Sequence, residues 1–263
     1  MQILKIPSNR VVKQTARMML TGRWTAAVSA AVLGISGFML MCVLQSLLAL
    51  PNTKIAHLTA QTFGFVFYIL VLSPLFLGVL RFFWRMINSA DDRLISVFYY
   101  FSALPRYIRA IKLTLVMGWR IFTAVIICML PYFAIGLVTG GGLYQFFGWE
   151  IPLWVPNLIL IESFLKIIGI VTAAVYAARY YLVPVIAIMD EERLLLEAVH
   201  VSCLVSKRSG MAFLSLACSC VFAVLLSLLV IPAIYTLPFI VTAYLIHCRF
   251  VMVNYNLVLG DSK

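Results

Sequence analysis

Phe63-Gly64-Phe65-Val66-Phe67-Tyr68-Ile69-Leu70-Val71-Leu72-Ser73-Pro74-Leu75-Phe76-Leu77-Gly78-Val79-Leu80 carries no charged and no amide side chain, and Arg81 follows at once. At ~1.5 Å per residue a helix over this run nearly matches a hydrocarbon core of ~30 Å. The run is continuous and does not alternate between apolar and polar residues, so it reads as a helix and not as a barrel strand. Lipid offers no backbone partner outside the helix itself.

Five further stretches have the same character: Thr25–Leu50, Ile121–Val138, Ile159–Ala178, Met211–Ile231 and Ala233–Cys248. Pro232 and Pro238 mark the turn between the last two. The 263 residues are 64% apolar and 11% charged, whereas about a quarter of residues are charged in soluble domains. We therefore expect an all-α, polytopic membrane protein with six transmembrane helices.

Charge sets the expected orientation. With the N-terminus inside, every one of the 20 Lys and Arg except Lys54 and Lys166 falls on the inner side. That bias predicts that both termini are cytoplasmic. The net charge of +11 is thereby assigned to juxtamembrane segments, where each cation contributes about 1 kcal/mol of attraction to an anionic leaflet. It is not read as a nucleic-acid footprint, which would gather the cations on one soluble face. No cleavable signal peptide is expected, since residues 1–24 are basic and amphipathic without an apolar core.

The six cysteines all fall in spans or on the inner side, so no disulfide framework is expected. No Cys-x-x-Cys occurs, and His57, His200 and His247 lie on different segments. No metal site and no cofactor is expected.

A pattern recurs three times: a basic amphipathic stretch, a small-residue junction, and a hairpin whose second arm carries Arg beside an aromatic. The copies hold Gly22-Arg23-Trp24 and Arg81-Phe82-Phe83; Gly118-Trp119-Arg120 and Arg179-Tyr180-Tyr181; Ser209-Gly210 and Arg249-Phe250. Trp24 and Trp119 are 95 apart. A single membrane domain over 1–263 is thus divided into repeat units of about 1–90, 91–189 and 190–263, as expected where one helical unit cannot bury its faces alone.

Each unit opens with an amphipathic helix. In the first, Ser8 is the candidate N-cap, Val11, Val12, Thr15, Met18 and Met19 are expected to share a face, and Gly22 to end the helix. In the second, Asp91-Asp92 opens the turn and Leu94, Val97, Phe98 and Phe101 follow helical spacing, with a basic helix from Arg106 running into the third span. In the third, Asp190-Glu191-Glu192 precedes a stripe of Leu194, Ala198, Val201 and Val205. Such stripes lie either on the membrane surface or against the protein's own spans. Small residues at four-residue spacing, such as Ala26, Ala30 and Gly34, allow close helix approach within the chain or in a homo-oligomer. The outer segment Gly140–Pro156 is rich in Gly and aromatic residues and is expected at the outer leaflet.

Two groups of charges are candidate sites. Arg81, Arg179 and Arg249 each end a second arm, at the inner boundary, where they can anchor the helix or bind a lipid headgroup. Arg81 precedes Asp91 by 10 residues and Arg249 precedes Asp261 by 12, beyond direct reach on a straight helix. Glu162 and Lys166 are the only opposite charges within an apolar run, and their i, i+4 spacing places them on one side of the fourth helix, as a structural or a transport pair. Pro74, Pro131 and Pro184 interrupt helices and can free carbonyls or form kinks satisfied locally. Catalytic motifs are missing from the sequence: no paired acids, His-Glu-x-x-His, Gly-x-Ser-x-Gly or phosphate loop.

Leu72–Phe83, Ala178–Asp190, Leu196-Glu197-Ala198-Val199, Lys207-Arg208-Ser209-Gly210 and Leu20-Thr21-Gly22-Arg23-Trp24 resemble signatures of an uncharacterised family of bacterial multi-span membrane proteins. That family is a domain of unknown function, distantly similar to the membrane region accompanying some glycerophosphodiester phosphodiesterases. The resemblance implies the six-span fold. It implies no phosphodiesterase activity, because no such domain is present. The expectation is a non-catalytic protein engaging membrane lipids or partner membrane proteins; the alternative is a small-solute or lipid transporter.

Overall fold

A computed structural model describes residues 7–51, 53–88, 93–139, 158–190, 194–226 and 230–255. Within them every regular element is helical. Asp91, Asp92, Glu191, Glu192, Asp261 and the segment Gly140–Pro156, all singled out above, lie outside the described residues. Two compact units are formed, one by residues 1–115 with 182–263 and one by residues 116–181.

The larger unit begins with α1 (Asn9–Leu20) and α2 (Trp24–Ala49), separated by a turn at Gly22, whose φ of +82° suits glycine. The descending arm comprises α3 (Lys54–Phe67), a π-helical turn (Tyr68–Leu72) and α4 (Ser73–Ile87). Thr53 caps α3 by accepting from the Ala56 N–H at 3.1 Å. The π turn sits immediately before Pro74, which cannot donate to the preceding turn.

A 3-10 segment (Leu94–Phe101) returns across α4, and α5 (Leu104–Thr139) then runs unbroken through Gly118. The expected α-helical stripe of this segment is replaced by a period of three. Val97 and Tyr100 are buried, while Ile95, Phe98 and Phe101 are exposed. The cause is Gly78, where a Cβ would overlap the Val97 carbonyl oxygen. The two backbones touch.

After the smaller unit the chain continues in α7 (Val183–Met189), α8 (Leu195–Ser219), α9 (Val221–Leu226) and α10 (Val230–Asn254). The smaller unit holds the rest of α5 and α6 (Leu158–Ala177), ending in a 3-10 turn (Ala178–Tyr180). Its two helices are antiparallel: Gly169 faces the backbone of Cys128 while Thr139 meets Glu162.

Five helices are long and apolar enough to cross a membrane: Trp24–Ala49, Lys54–Ile87, Leu104–Leu137, Ile161–Met189 and Pro232–Asn254. This is a multi-pass membrane architecture. The expected span Met211–Ile231 is divided, because α8 continues through Gly210 to Ser219 and Cys220 forms a turn before α9. The small-residue junction is therefore a break at Gly22 and plain helix at Gly118 and Gly210.

Two expected faces also differ. On α1 the buried residues are Val12, Ala16 and Leu20, packed against α10, while Val11, Met18 and Met19 are exposed. On α8 they are Ala198, Val199, Ser202, Val205, Ser206, Ser209 and Leu216, with Leu194 exposed. Helical spacing turns this face, rich in small residues, inward, where close packing needs it.

Candidate functional site

Three helices of the larger unit meet cations at their C-termini. The last carbonyls of an α-helix have no intrahelical donor and carry about half a negative charge. Arg23 Nη1 donates to Met86 O at 2.8 Å and Arg249 Nη1 to Ile87 O at 3.5 Å, both at the end of α4. Arg109 Nη2 donates to Asp190 O at 2.7 Å, just past α7. Lys13 Nζ donates to Ser219 O at 2.5 Å, the last residue of α8. Arg23, Arg249, Arg109 and Lys13 thus have direct partners in the helix ends.

Arg81, Arg179 and Arg249 meet different groups. Arg81 lies 3.2 Å from the Tyr99 ring centroid, and Arg106 lies 4.2 Å from the same ring. The aromatic quadrupole attracts both guanidiniums, and Arg106 also donates to Ser102 Oγ at 3.2 Å. Together they clasp the 3-10 segment that crosses Gly78. Arg179 lies 5.2 Å from the Tyr176 ring within the smaller unit.

Glu162 and Lys166 turn to α5 rather than to each other. Thr139 Oγ1 donates to Glu162 Oε2 at 2.6 Å, and Lys166 Nζ stands 5.8 Å from the Tyr132 ring centroid. Thr139 and Tyr132 lie two turns apart on α5, while the charges that meet them lie one turn apart on the facing helix. The motif straps two helices.

Prolines and polar pairs follow the same local logic. Tyr107 Oη donates to Leu70 O at 2.8 Å, four residues before Pro74, and Ser73 and Thr114 hydroxyls are 2.6 Å apart. Both α5 partners secure the π turn. Thr114 in turn donates to Ala110 O at 3.2 Å.

Two recesses have a clear chemical character. A cleft of about 400 Å³ between α2, α4 and α10 is lined by apolar residues, among them Gly34, Phe38, Phe76, Val79 and Leu237. It fits hydrocarbon and suits a polar solute poorly. A recess of about 570 Å³ along α1 is lined by Asn9, Arg10, Lys13, Gln14 and Arg17. On α8, Lys207 and Arg208 flank exposed Leu204 and Met211. Sequence reasoning counted these cations as orientation signals; their i, i+3, i+7 spacing on α1 was the signal that they form a row. Among the described residues no cluster of His, Cys, Asp and Glu could hold a metal ion.

No family model, curated protein or solved structure matches this chain.

Proposed function

We propose that this chain is a non-catalytic protein of a bacterial inner membrane, with both termini cytoplasmic, that engages anionic lipid through its basic interfacial helices. The observation that carries the reading is the basic row of α1, where Arg10, Lys13, Gln14 and Arg17 line one recess. Exposed Val11 and Met18 lie on another face of the same helix, as in helices that rest at a headgroup boundary. Arginine and lysine rows of this kind suit phosphate oxygens. Arg81, Arg179 and Arg249 have protein partners, so we give them a positioning role in this reading and assign headgroup contact to α1 and α8. The same surface can carry partner membrane proteins or a second copy of the chain, and the reading involves no nucleic acid or cofactor.

Six crossings in three repeats follow if the third copy behaves as the first two. Any even number keeps both termini inside, so the lipid reading does not depend on it. The resemblance to the uncharacterised multi-span family fits a role without chemistry of its own.

Phosphate analysis of purified protein tests the proposal. Replacing Arg10, Lys207 and Arg208 together by Gln should remove most co-purified anionic phospholipid while thermal stability changes little. Unchanged lipid content sinks it.

One observation favours a second reading. Glu162 is half-buried, bonded to Thr139 and beside Gly136, and ionisable groups inside membranes often mark transport paths. That reading requires flux of a solute in liposomes that Glu162→Gln abolishes.

A further inference from the structure

The third copy of the repeat ends where the first hairpin ends. Tyr235, near the start of α10, has its ring centroid 6.5 Å from that of Trp24, the first residue of α2. Arg249, near the other end of α10, donates to Ile87 O at the end of α4. Trp24 and Ile87 belong to one end of the first hairpin, since Arg23 donates to Met86 O. Fourteen residues separate Tyr235 from Arg249, about 21 Å of helix. Standing upright beside α2, α10 would carry Tyr235 two-thirds of the way across a ~30 Å core. Instead both positions meet the same end.

The neighbours of α10 agree. Helix α1 packs along it through Val12, Ala16 and Leu20, with Arg17 5.8 Å from the Phe239 ring centroid. A helix bearing Arg10, Lys13 and Arg17 belongs at the water boundary, because a central cation costs about 2.5–3.5 kcal/mol on insertion scales. Helix α8 starts five residues after Asp190, which Arg109 caps, and ends at Ser219, which Lys13 caps. Asn9 Nδ2 adds a bond to Ser215 Oγ at 2.9 Å. The end of α8, eight residues into the stretch Met211–Ile231, therefore lies against α1, whose cations belong at the water boundary.

We propose that α1, α8 and α10 form a layer lying along the inner leaflet beneath the first hairpin, so that the chain crosses the membrane four times and presents this layer to anionic lipid headgroups. The proposal rests on the membrane reading above, with the cation-rich end of the hairpin inside. Lipid enters through charge: Arg10, Arg17, Lys207 and Arg208 are exposed on the layer beside apolar Met18, Leu204 and Met211.

A protease recognition segment inserted after Leu225, in the full chain in sealed vesicles of known sidedness, tests it. Six crossings bury that position within the span Met211–Ile231, toward its outer end; the layer puts it at the inner face. Cleavage in inverted vesicles with protection in right-side-out ones is expected. Cleavage from the outer face, or from neither, overturns the layer. Leu225→Cys, which leaves the chain length intact, repeats the test with an impermeant thiol reagent read by peptide mass at position 225. Modification from the inner face is expected, and modification from the outer face or from neither overturns the proposal. Inner-face cleavage with unchanged lipid content in the glutamine variant would sink the lipid reading and the layer's lipid role but leave the four-crossing topology standing.

Discussion

The Tyr107 hydroxyl donates to the Leu70 carbonyl at 2.8 Å, replacing the helical donor that Pro74 lacks. A polar group left unpaired in hydrocarbon is expensive, so a residue on α5 completes the turn before α4. Tyr107→Phe should lower stability by about 1–2 kcal/mol, read as a fall in the thermal midpoint in detergent. In a Pro74→Ala background the same change should cost less, because the restored N–H supplies a donor. Equal costs in both backgrounds would exclude the link.

Gly78 and Gly118 make a contrasting pair. A Cβ at Gly78 would overlap the Val97 carbonyl, while nothing lies within 4 Å of one at Gly118. Gly78→Ala should displace the 3-10 segment and cost more than about 3 kcal/mol, the range of severe overpacking. Gly118→Ala should stabilise by about 1 kcal/mol through helix propensity alone. Unfolding midpoints of the two variants should shift in opposite directions.

Arg23 and Arg249 share the end of α4. Each replacement by Gln should cost about 0.3–2 kcal/mol, the range for cations at helix C-termini, and Lys should recover part of it. A stability loss with lipid content retained is the expected pairing for Arg249→Gln. Lipid loss without a stability change would return this residue to headgroup binding.

At the strap in the smaller unit, Thr139→Val removes the hydroxyl that donates to Glu162 at 2.6 Å. The change should cost about 1–3 kcal/mol, as for bonds to charged groups. Glu162→Gln keeps an acceptor and should cost less. Lys166→Met should be near neutral, since the side chain is exposed. Chemical denaturation ranks the three.

Much of the architecture was legible in the sequence because lipid imposes length and charge rules on each helix separately. The runs around Phe63–Leu80 and Ile159–Ala178 needed no partner to be recognised. What escaped depends on contacts between helices. The period of three at Leu94–Phe101 follows from Gly78 meeting Val97, and the divided stretch Met211–Ile231 from the turn at Cys220. The spacing of Glu162 and Lys166 suggested a mutual pair, yet Thr139 and Tyr132 on α5 take both. Of the candidate cations, Arg81, Arg179 and Arg249 stood out by their repeat position, whereas the row on α1 was legible only in the i, i+3, i+7 spacing of Arg10, Lys13 and Arg17.

Asn9 and Lys13 bond to Ser215 and Ser219, in each case 206 residues further along the chain. At roughly 5–20 residues per second of synthesis, the first helix waits some 10–40 s for the residues that will hold it. On the proposed lipid reading its basic face meets the leaflet throughout that interval, so the surface α1 needs as a newborn segment is the one it keeps in the finished protein.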